Sequence, residues 1–103
     1  MSSEDIEITR NMGCTKEELL RWLPTALGEV FLSTDIEIDQ KKFQEITEAI
    51  IKVCATTQEP RQIALLSIPT LKVQFLFSQK KIGISKINAV MDRFDLYTRR
   101  GGG

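Results

Sequence analysis

The chain has 103 residues, 42% of them hydrophobic and 27% charged, with 14 basic and 14 acidic side chains and no histidine. That size and balance read as one soluble domain able to bury a single core without a disulfide or metal. Without histidine no histidine-dependent triad or histidine metal site can be built, and no apolar run approaches the roughly 18 residues of a membrane span.

The opening MSSEDIEITR has no apolar stretch of the kind that directs secretion, which reads as cytoplasmic. Ile6 and Ile8 alternate with Glu7 and Thr9 and predict a first strand with one buried face. Thr15 followed by Glu18 forms a capping box, with Glu17 and Glu18 at the positive end of a helix dipole. Leu19, Leu23, Ala26, Leu27 and Val30 make its core stripe. Pro24 crowds the carbonyl of Leu20 and predicts a kink or restart, and Gly28 a stop.

Residues 35–39, DIEID, alternate again and predict a second strand. Residues 41–57 read two ways. Phe43, Ile46, Ile50, Val53 and Cys54 fit an amphipathic helix capped by Asp39, whereas IIKVCATT is β-branched and favours a strand. We take the strand, over about 48–56, paired through a turn at Gln58–Pro60 with RQIALLSI. Pro69 then belongs at a strand end or bulge. In LKVQFLF, the residues Leu71, Val73, Phe75 and Phe77 share one face of a further strand. Ser85 starts a final helix with Ile87, Val90, Met91, Phe94 and Tyr97 as its buried stripe.

The fold class expected is α+β: a two-layer sandwich of order β-α-β-β-β-β-α, with an antiparallel sheet covered on one face by two helices. Residues 1–100 form a single domain and 101–103 a flexible glycine tail. Charge is uneven along the chain: eleven acidic against five basic side chains in residues 1–50, and three against nine thereafter. Either the halves interleave and cancel, or the surface carries separate patches that steer a partner.

The end of the chain, YTRRGGG, also reads two ways. Arg93, Arg99 and Arg100 in the last turns of a helix offset its free carbonyls, and Gly101 fits the position just past a helix end. Alternatively, RRGGG resembles the ends of ubiquitin-like modifiers and sulfur carriers. That resemblance implies a carrier activated at its terminal glycine carboxylate, with Gly102 and Gly103 as its site. It departs from the pattern because those families place the glycines after a strand and open with a β-hairpin. A broader likeness runs through GCTKEELLRWLP, RQIALLSIPTLKVQFLF and RFDLYTRRGGG. With Leu23-Pro24, an Arg-x-Ile-Ala strand start and a Phe-Asp-x-Tyr-x-Arg-Arg-Gly-Gly-Gly ending, the chain resembles a group of small uncharacterised bacterial proteins. The resemblance implies no activity; it favours the strand over 48–56.

Cys14 at a helix start could be an activated thiol, but Glu17 and Glu18 disfavour a thiolate, and a small packed residue is the simpler reading. Cys54 reads as core. Neither cysteine fits a disulfide framework or a zinc site. Arg21-Trp22 is either an exposed contact pair, or Trp22 covers the sheet edge or lies beneath Pro24. No phosphate loop or paired-carboxylate motif is present, and a neutral chain argues against nucleic acid. The functional expectation is a non-enzymatic binding domain without catalytic residues, metal or cofactor. Its contact residues are Arg93, Tyr97, Arg99 and Arg100 at the basic helix end, joined by Arg21 and Trp22. Its partner is an acidic protein or the acidic half of another copy.

Overall fold

A computed structural model describes residues 5–102, the side chain of Arg100 excepted. The chain runs β1 (Asp5–Met12), α1 (Lys16–Leu27), a 3-10 turn (Gly28–Ser33), β2 (Thr34–Ile38), β3 (Lys41–Gln44), β4 (Ile51–Ile63), β5 (Leu66–Ser78) and α2 (Ile84–Gly102). The class and element order are those read from the sequence. The five strands form one sheet ordered β1-β5-β4-β2-β3.

The core follows from alternation. Leu71, Val73, Phe75 and Phe77 of β5 are all essentially buried, and their register partners Ile51, Val53 and Ala55 on β4 are buried with them. Next to these lie Thr34, Ile36 and Ile38 of β2, so one face of the sheet is continuous and apolar. Leu19, Leu23, Ala26 and Leu27 of α1 and Ile87, Val90, Met91 and Phe94 of α2 close over it in a single cluster. The Phe94 ring meets Phe75 edge-on at 4.8 Å, fixing α2 above β5. The other face carries Glu7, Thr9, Lys52, Thr56 and Lys72, all exposed.

The α1 start is built as its sequence predicts. The Thr15 hydroxyl accepts from the Glu18 N–H at 3.1 Å, and Glu18 accepts from the Thr15 N–H at 2.9 Å. The helix does not restart at Pro24, because α1 continues to Leu27 and the Pro24 carbonyl accepts from the N–H of Gly28. Gly28 ends it at φ 68°, ψ −137°, a conformation that side chains resist.

Four expectations are corrected. The sheet is mixed rather than antiparallel, since β2 and β4 run parallel. After β3 the chain crosses back under β2, pinned by Gln44 Nε2 donating to the carbonyls of Phe31 and Thr34 and by the Ile50 N–H donating to the Ser33 carbonyl. The helix reading of 41–57 is replaced by β3 and the first half of β4, so the strand reading stands with its start moved to Ile51. Gln58–Pro60 is not a turn: β4 passes through it with a bulge between Gln58 and Arg61, opposite Pro69, and turns back only at Ala64-Leu65. Thus RQIALLSI spans the turn. Last, Gly101 is no helix stop, because Gly101 and Gly102 continue α2; Gly103 lies outside the described residues.

β2 covers β4 only over Ile51–Ala55, and β1 covers β5 only over Leu71–Ser78. Residues 56–70 therefore project as a two-stranded arm, and the molecule measures 47 × 26 × 23 Å. Its tip exposes Ile63 and Leu66 and leaves Leu65 entirely in solvent. No helix among the described residues is long and apolar enough to cross a membrane.

Strands from the acidic half flank the two from the basic half, and ion pairs cross between the halves at Arg10–Asp95 and Lys86–Glu29.

Candidate interaction site

Beyond Phe94, the last turns of α2 pass over the end of β1 and the β1–α1 turn. They leave an open cleft of about 370 Å³. Trp22, Phe94 and Met12 give it apolar walls, Cys14 is buried behind it, and Arg10, Asn11, Asp95, Thr98 and Arg99 form its polar rim.

Arg10 is the element of this site that sequence reading missed. It falls on the buried side of β1, in line with Ile6 and Ile8, and a charge on an apolar strand face needs a partner. The partner is Asp95: Arg10 Nε donates to Oδ1 at 3.0 Å and Nη2 to Oδ2 at 2.9 Å, a bidentate fork. Asp95 holds the Arg10 guanidinium charged, raising its pKa against the opposing effect of burial. The two charges cancel. Thr98 is also engaged, its hydroxyl donating to the Phe94 carbonyl at 2.8 Å. Arg99 differs. It is exposed at the rim, and its side chain makes no hydrogen bond or ion pair among the described residues.

The expected contact residues separate. Arg93 lies in mid-helix, with Nε and Nη2 donating to the Thr25 carbonyl at 3.1 and 2.9 Å. A cation there satisfies a free carbonyl at the C-terminus of α1 and offsets its dipole. Its guanidinium also packs on Gly28, where an added Cβ would come within 3.3 Å of Cζ. Arg93 is a clamp between helices. Trp22 is buried at 8% exposure and cannot be an exposed contact. Its position is i+3 from Leu19 and i+4 before Ala26, so it belongs to an apolar stripe that is wider than one packing partner requires. Arg21 is exposed on α1 and does not line the cleft. Tyr97 is 37% exposed rather than part of the core stripe, with Thr98 buried in its stead, and Leu96 beside it is 56% exposed. Arg100 has no described side chain.

Cys14 is not activated. Its thiol is pushed up to about 11, first by burial and then by the Glu18 charge, so the helix dipole loses. Cys54 is also raised, chiefly by burial. It lies half-buried on the open side of the sheet rather than in the core.

Compared with protein-family models, with curated proteins and with solved structures, the chain finds no match.

Proposed function

We propose that this chain is a small non-enzymatic binding domain whose contact surface is the C-terminal part of α2 and the cleft beside it. One observation carries the reading: among the described residues, Arg99 stands unpaired at the rim of a cleft whose other charged lining residues, Arg10 and Asp95, neutralise each other. A guanidinium with its five donors free is suited to a carboxylate. Leu96 and Tyr97 add exposed apolar area on the same turns, and Arg and Tyr are enriched where proteins meet. The partner is an acidic protein surface. A free guanidinium with apolar neighbours gives an association weakened by salt.

The test is capture of acidic proteins from lysate by the immobilised chain and by Arg99→Glu, at low and at physiological salt. The expected result is a salt-sensitive set of partners retained by the wild type and lost by the variant. Equal recovery by both overturns the reading.

A further inference from the structure

We propose that two copies of this chain pair through the free edge of β1, joining two five-stranded sheets into one of ten with all four helices on one side. The two edges of the sheet are built differently. β3 is four residues long, exposes Lys41 and Lys42, and has an irregular register with β2. Each of these features discourages further pairing. β1 is eight residues long, unbroken in register with β5, and carries neither proline nor lysine. Of the usual protections it has only charges: the inward Arg10, neutralised by Asp95, and the outer-face carboxylates Asp5 and Glu7.

The direction of its free groups follows from the ladder. The Ser78 N–H donates to the Ile50 carbonyl on the β4 side, and the Ala55 carbonyl accepts from Asp39 on the β2 side. Alternation then points the backbone of Val73, Phe75 and Phe77 at β1. On β1 their partners Ile6, Ile8 and Arg10 point back, and Asp5, Glu7, Thr9 and Asn11 point outward. The Thr9 carbonyl accepts from its neighbour Arg10 Nη1 at 3.3 Å and keeps a second lone pair.

A second copy fits this edge. In a two-fold antiparallel pairing centred on Ile8, Asp5 faces Asn11 of the second copy and Glu7 faces its Thr9, and the converse. That register engages all four outward residues and opposes no like charges; one centred on Glu7 would set Glu7 against itself. It also brings Asp5 of the second copy beside Asn11, whose own neighbour on the same face is Lys72. Ile84, three helical turns before Asp95 on the same side of α2, is 51% exposed. The pairing reaches Arg10 and Asn11, which also line the rim of the cleft, and stops before its Gly13–Cys14 wall. The Arg99 surface therefore abuts this interface and shares Arg10 and Asn11 with it, but the pairing rests on the backbone of β1 and not on Arg99.

Sedimentation of the full chain from low to high micromolar concentration tests it, with the variants Thr9→Pro, Thr9→Val and Arg99→Glu. Proline at Thr9 removes one outward donor and no bond to β5, so the fold survives on an edge strand. The wild type, Thr9→Val and Arg99→Glu are expected to dimerise. Thr9→Pro should raise the dissociation constant by about tenfold or more. Hydrogen exchange of the wild type should show protection of the Glu7, Thr9 and Asn11 amides that grows with concentration, which keeps the test valid even if the proline variant is misfolded. A wild type that stays monomeric overturns the proposal. So does a dimer in which those three amides exchange as fast as in the monomer.

Discussion

Cys14 begins a helix, where the dipole favours a thiolate, yet it lies buried with Glu18 close by and its thiol is displaced to about 11. The folded-state value is raised, so the folded protein holds its proton longer than the unfolded chain. The resulting stability is complete below an ordinary thiol value and is lost as pH rises toward 11. At pH 8 the thiolate is scarcer than in a free cysteine by roughly a hundredfold. Alkylation of Cys14 by iodoacetamide should slow by at least that factor relative to the denatured chain, read by peptide mass. A rate near that of denatured protein would refute the burial. At this scale the sequence was partly readable. The acidic neighbours of Cys14 and the alternation that places Arg10 inside are visible in the residue string; the partner of Arg10 is not, since Asp95 lies 85 positions away. Of the two readings of Trp22 the buried one stands, because a helix packed against both a sheet and a second helix buries more than one stripe.

Among the elements, the turns departed most from what the residue types suggested. Proline at Gln58–Pro60 marked a bulge, while both real hairpin turns lack glycine. Asp39 and Gln40 join β2 to β3 with φ of 51° and 71°, two successive positive values of the kind found in a type I′ turn. Asp39 is held there by its carboxylate, which accepts from the Thr57 N–H at 2.8 Å and hydroxyl at 2.6 Å. Those bonds also keep its carboxyl below the usual range. Gln40 is exposed and shows no comparable bond. Gln40→Gly should therefore relieve the left-handed strain and stabilise the fold by about 0.5–1 kcal/mol, after glycine's larger freedom in the unfolded chain is subtracted. A thermal melt checks this, with a rise of a few degrees expected and a fall ruling it out. The strands and helices themselves were legible because their periods were clean: Leu71 to Phe77 at every second residue, and Leu19 to Val30 on helical spacing. The β3 strand was not, as KKFQ has no alternation to read.

For the whole molecule, the class and element order could be read from the succession of periods, and the parallel contact of β2 with β4 could not. Nothing local in residues 45–50 announces that they cross beneath a strand instead of turning beside it; the bonds that pin them reach back to Phe31, Ser33 and Thr34. The uneven distribution of charge along the chain likewise gained its meaning only from the sheet order, which sets acidic-half strands on both flanks of basic-half ones.

That order has a consequence in time. β4 and β5 meet through a two-residue turn, whereas β1 joins β5 between partners as far apart as Asp5 and Ser78. Closing the short loop costs far less chain entropy than closing the long one, and non-local pairing slows folding. The hairpin should form first and β1 should dock last, so a chain emerging from the ribosome holds β1 and α1 without a sheet to cover until β5 has been made. Pulse-labelled hydrogen exchange during refolding should find the β4–β5 amides protected before those of Ile6, Ile8 and Arg10. Simultaneous protection would show instead that the sheet condenses in one step.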